Sequence, residues 1–117
     1  MSCYLSQATF KDTTFRALVE RPQARADVVG RTAEAFGGKL REFFFAFGEF
    51  DCVFIAEFPD NESYTAFAMT LAAGGAASAL RTTVLMEPAE AVRAMRKAGS
   101  VQSGYTPPTG EFQGGGI

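Results

Sequence analysis

The stretch that decides the fold is KLREFFFAF at residues 39–47, followed by GE at 48–49 and FDCVFIAEF at 50–58. Two apolar runs rich in aromatic and β-branched residues, joined by a Gly-Glu pair, read as adjacent antiparallel strands over 39–47 and 50–58. Gly48-Glu49 is then a tight hairpin, with Gly48 as its positive-φ residue. Alternation places Phe43, Phe45 and Phe47 on one face of the first strand and Leu40, Phe44 and Ala46 on the other. In the second strand Phe50, Cys52, Phe54, Ala56 and Phe58 oppose Val53 and Ile55. A sheet with one face in water alternates apolar and polar side chains, and these strands are apolar on both sides.

The neighbouring segments extend the pattern. Upstream, Cys3–Phe10 reads as a strand. Lys11–Glu20 is ambiguous, with Thr13-Thr14 able to cap a short helix. Pro22–Phe36 is a helix with Pro at its first position and Ala26, Val29, Ala33 and Phe36 on one face, stopped by Gly37-Gly38. Downstream, Pro59-Asp60-Asn61 ends the third strand and caps a helix carrying Tyr64, Phe67, Ala68 and Leu71, which ends at Gly74-Gly75. Ser78–Glu87 alternates as a fourth strand. Pro88–Ala98 is a last helix, with Glu90 near its start, Arg96-Lys97 near its end and Gly99 as its stop. The order is βαββαβ plus a C-terminal helix: an α+β, ferredoxin-like fold with a four-stranded antiparallel sheet whose first and third strands are neighbours. Residues 1–99 form the domain, and residues 100–117, rich in Gly and Pro, form a C-terminal arm that composition marks as flexible.

Two crossover helices cover one face of such a sheet. The other face would expose a phenylalanine-rich patch larger than the few hundred Å² a soluble monomer usually shows. Each such Phe is worth roughly 1.5–3 kcal/mol when buried. The expected cover is the same face of a second copy about a two-fold axis; the alternative is the C-terminal helix folding back over its own sheet.

Composition narrows the chemistry. The 117 residues include 12 Phe but no His and no Trp, with a net charge of -2. Without His there is no Ser-His-Asp triad, no His-ligated haem or zinc and no imidazole base. The balance of charge argues against nucleic acid. No apolar run is long enough to span a membrane, and the N-terminus lacks a signal-peptide pattern, so a cytoplasmic protein is expected. Cys3 and Cys52 form no CxxC pair and read as core thiols, a reactive thiol or disulfide being the alternative. The carboxylates are scattered and the glycine pairs sit at helix ends, so no metal or cofactor is predicted.

Several motifs in order carry a family resemblance: FGGKL (36–40), FGEFD (47–51), EFPDN (57–61), RTTVL (81–85), Glu90-Ala91, AMRKA (94–98) and YTPP (105–108). From about Tyr4 to Pro108 the chain resembles the GYD domain family, with Phe50 where the family's Gly-Tyr-Asp element has tyrosine. The resemblance implies a ferredoxin-like fold related to the dimeric α/β barrels. It implies no activity, and a role that used the tyrosine hydroxyl would be absent here.

The candidate site residues each have a plain structural alternative. Asp51 and Glu57 are the candidate catalytic carboxylates, as general bases; Asp51 would otherwise hold the hairpin backbone. Glu57, Arg41 and Arg81 would otherwise make solvated ion pairs at strand ends. Arg25, Arg81, Tyr4 and Tyr64 are candidates for ligand binding, against a solvated helix position for Arg25 and core packing for the tyrosines. These residues leave open an oligomeric module that binds a small molecule or protein partner, a cofactor-independent oxygenase or isomerase acting on a small aromatic or lactone, and a structural assembly unit with a swapped arm.

Overall fold

The computed structural model describes residues 1–109. The part of the expected arm at residues 110–117, with Phe112 and the closing glycines, lies outside the described residues. The chain divides into two compact units, Met1–Leu85 and a second that begins at Met86. The first holds β1 (Ser2–Phe10), α1 (Asp12–Glu20), α2 (Arg25–Ala35), β2 (Lys39–Phe45), β3 (Cys52–Phe58), α3 (Asn61–Ala73) and β4 (Ala77–Leu85). The strands form one antiparallel sheet in the order β2-β3-β1-β4. This is the ferredoxin-like arrangement, with α1 as an extra helix before the first crossover. The second unit holds α4 (Pro88–Ser100). Proline opens that helix, and Glu90 and Lys97 suit its dipole. It runs through Gly99, the expected stop, before Val101 turns extended. No helix among the described residues is long and apolar enough to cross a membrane.

The core lies between one sheet face and helices α2 and α3. Tyr4, Ala8, Cys52, Phe54, Ala56 and Phe58 from the strands pack with Val29 and Ala33 of α2 and Tyr64 and Phe67 of α3. Phe58 and Phe67 rings lie 5.0 Å apart, and Phe43 stacks on Phe54 at 5.8 Å. Phenylalanine is therefore concentrated on the helix-facing side, and the expected phenylalanine-rich outer face is not what forms. The cause is the register: Phe43 pairs with Phe54 and Phe45 with Cys52 on the core side, Phe44 alone of the three lies opposite Val53 on the outer side, and Phe47 and Phe50 fall in the loop outside the ladder. A bulge at Arg41 adds to this, since Leu40 pairs with Ala56 and Glu42 with Ile55. The extra residue returns Leu40 to the core side with Phe43, where simple alternation had opposed them. The outer face instead carries Leu5, Val53 and Ile55 in partly buried positions and Phe44 at 60% exposure.

Local signals explain most boundaries. Asp60 is the N-cap of α3 and accepts from the Ser63 N–H at 2.8 Å. Gly37 and Gly75 take positive φ where α2 and α3 end. Three expected boundaries move. Helix α2 begins at Arg25, not Pro22: residues 22–24 stay outside it, and the Gln23 side-chain amide donates back to the Arg21 carbonyl. Thr13 and Thr14 lie inside α1, and the Thr14 hydroxyl donates to the Ala76 carbonyl rather than capping. The tight hairpin opens into a wider loop: the Ala46 N–H donates to the Asp51 carbonyl, leaving Phe47 to Phe50 outside the ladder. Phe47 is 99% exposed there, and Gly48 does not adopt a positive φ.

Gly38 has a stricter role. A Cβ there would press on the Phe58 ring and lie 2.6 Å from the Glu57 carbonyl oxygen. Gly38→Ala is expected to cost about 1–3 kcal/mol, the range for overpacking a filled core, as read by urea unfolding. The exposed Asp60 carboxyl is held below the usual range by the Ser63 backbone N–H and then by its side chain. Its folded value is depressed, so its stabilisation is present above the unfolded value near pH 4 and is lost as pH falls through the lowered folded value. The melting-temperature gap between wild type and Asp60→Asn should accordingly close on acidification.

Candidate functional site

The core face is unevenly filled. At the end of the sheet near Tyr4 and Phe58 it is packed with rings. At the other end small residues meet: Ala8 of β1, Ala17 of α1, Ala72 of α3, and Ala76-Ala77 leading into β4. Between them lies a cavity of about 390 Å³, roofed by α1 and the turn before α2 and floored by Phe43, Phe54 and Leu80. Thr14 holds α1 to the loop after α3 through its bond to Ala76 at 2.7 Å, and Phe15 meets Phe10 edge-on at 5.5 Å.

Arg25 and Cys52 both line this cavity. The Arg25 Nη1 donates to Gln23 Oε1 at 3.0 Å, which holds the guanidinium at the turn before α2. Burial pushes the Cys52 thiol up to about 11, with Asp51 adding to the rise and Arg25 opposing it. The thiol is therefore neutral near pH 7 and is a poor nucleophile.

Tyr4 and Tyr64 come together elsewhere, stacked 4.2 Å apart with planes 6° from parallel. Tyr4 donates to Asn61 Oδ1. The Tyr64 hydroxyl lies 2.7 Å from the fully buried Ser6 hydroxyl and 2.6 Å from that of Thr82. Both rings line a more open groove of about 620 Å³ between α3 and β4. Core packing and groove lining thus coexist in the same pair.

The remaining candidates stand apart. Asp51 Oδ2 accepts from the Phe10 N–H at 2.8 Å, while the Asp51 N–H donates to the Ala8 carbonyl. The carboxylate thereby completes the β1–β3 ladder where the main chain of the loop has turned away. Glu57 pairs with the bulged Arg41 on the outer face. Arg81 sits over the Phe50 ring, 5.7 Å from its centre. Neither Asp51 nor Glu57 is among the residues lining either cavity. No group of metal-ligating side chains occurs among the described residues. Gln23 and Ser6 carry no sequence signal as site residues, and Thr13 and Thr14, expected only as a cap, line the cavity instead.

Truncating the Asp51 clip leaves the Phe10 N–H without its acceptor. Asp51→Ala is expected to cost about 1–3 kcal/mol in urea unfolding, and Asp51→Asn, which keeps an acceptor oxygen, markedly less.

Among curated proteins, none matches the sequence significantly. Among solved structures, MtbAldR is similar over 74% of this chain and 52% of its own, with a TM-score of 0.51 at 14% identity. FFRP-DM1 is similar over 74% of this chain and 100% of its own, with a TM-score of 0.48 at 11% identity. The chain thus spans about half of MtbAldR, and at this identity the likeness concerns the fold alone. The family model described as GYD domain matches residues 4–104, which takes in all of the sheet but the first two residues of β1, and α4. With that match over most of its length, the chain belongs to the GYD domain family.

Proposed function

We propose that this protein is a homodimeric domain that binds a small, largely apolar molecule. The observation that carries the reading is the 390 Å³ cavity beneath α1, which lies within the range of about 300–1,000 Å³ typical of ligand sites. Its walls are mainly aliphatic and aromatic, with a few polar groups at the turn before α2, the usual composition of a binding pocket. Binding is favoured over catalysis because the carboxylates suited to base chemistry are both engaged away from the cavities, and the cavity thiol is neutral. The dimer is supported by the outer sheet face, where Leu5, Val53, Ile55 and Phe44 form an apolar strip across three strands. The same face of a second copy would cover that strip.

Native mass spectrometry of freshly purified protein tests both parts. The expected result is a species of twice the 12.5 kDa chain mass carrying a non-covalent adduct that is lost on denaturation. Ile55→Lys should give a monomer at low micromolar concentration. A wild-type monomer overturns the dimer. A chain that carries no adduct, and whose melting temperature no apolar small molecule raises, overturns the binding role.

A further inference from the structure

We propose that the cavity beneath α1 selects an organic monocarboxylate, its carboxylate held by Arg25 and its apolar body lying against Phe43, Phe54, Leu71 and Leu80. This rests on the binding reading above and names the class of ligand. Arg25 is the charged side chain in the cavity lining. The guanidinium bonds to the neutral Gln23 Oε1, and among the described residues no carboxylate lies within ion-pair distance of it. Asp51, the neighbouring acid, is committed to the Phe10 N–H and stands outside the lining. The guanidinium, partly exposed and bonded only to a neutral amide oxygen, keeps donors available to a ligand in the cavity. A carboxylate is the group whose two oxygens match the guanidinium fork.

One cation also limits the charge. A phosphate ester, with nearly two negative charges, calls for several cations or a cradle of backbone N–H groups. The residues around Arg25 supply neither, because Gln23 is turned back to the Arg21 carbonyl and the Thr14 hydroxyl is spent on Ala76. The thiol of Cys52 brings no competing charge to the cavity, since burial keeps it neutral. The rest of the wall is apolar and suits a short alkyl or aryl body.

The test uses the intact protein and three probes with one apolar body: octanoate, octanol and octylamine. Calorimetric titration should rank octanoate above octanol, and octylamine last. In Arg25→Gln, octanoate should bind about tenfold or more weaker while octanol is unchanged, since a bond to a charged group is worth more than a neutral one. Nuclear magnetic resonance should show the Arg25 Nε–H signal shifting with octanoate. Ala17→Phe, which fills the cavity from α1 and spares the strand core, should abolish binding of all three. Equal binding of octanoate and octanol, or an unchanged octanoate affinity in Arg25→Gln, overturns the carboxylate assignment and leaves the binding role standing. Octanoate binding that survives Ala17→Phe in full places the ligand elsewhere and overturns the site. Failure of all three probes to bind overturns the assignment, and the search for a retained adduct then decides the binding role separately.

Discussion

Everything in the first unit depends on how side-chain volume is distributed along one face of the sheet. Two helices must fill the space above β1 and β3, and interiors tolerate little empty volume. Near Tyr4 the filling is done by large rings: Tyr4, Phe58, Tyr64 and Phe67 are all 4% exposed or less. The cost of placing two tyrosines there is met by hydrogen bonding, because both hydroxyls find partners in Asn61, Ser6 and Thr82. Toward Phe10 the side chains shrink to alanine on four elements at once. The space left by that change of size is the cavity, and α1 is the element that closes it over. The site is thus a consequence of uneven packing rather than of any single motif.

A second theme is the use of side chains to finish what the backbone ladder leaves open. The Asp51 carboxylate substitutes for a strand carbonyl at the Phe10 N–H, and the Thr14 hydroxyl secures the loop at Ala76. Buried or partly buried main-chain groups must be paired, and here the irregular hairpin and the extra helix are where side chains do the pairing. These roles consume groups that, judged by residue type alone, suit catalysis. Residue type and position in the fold have to be taken together.

Much of the fold was legible because it follows from periodicity. The alternation of Cys52, Phe54, Ala56 and Phe58, the Asp60 cap and the paired glycines after α2 and α3 each act through nearest neighbours, and each appears as expected. The bulge at Arg41 was not legible, since one extra residue leaves no mark in composition yet reverses the side on which Leu40 lies. The outer face was expected to be richer in phenylalanine than it is because the register that sets Phe43 and Phe45 beside Phe54 and Cys52 on the core side is likewise unmarked in composition. The candidate site was legible in part. Of the candidates for ligand binding, Arg25, Tyr4 and Tyr64 line cavities and Arg81 lines neither. That the arginine and the tyrosines lie in different cavities, and that Arg81 and Glu57 face the other side of the sheet, depends on strand register, which no local pattern encodes.

The two thiols have a consequence of their own. Cys3 pairs in register with Glu57 on the outer side of the sheet, while Cys52 pairs with Ala8 and is buried among the core residues. A disulfide needs Cα atoms within about 7 Å and side chains that point toward each other. The sheet itself stands between these two sulfurs, so oxidation cannot staple the fold internally without unravelling β1. Oxidants would meet the partly exposed Cys3 first, on the same side as the apolar strip. Redox damage would therefore be written on the outer face while the cavity beneath α1 keeps its reduced, uncharged sulfur.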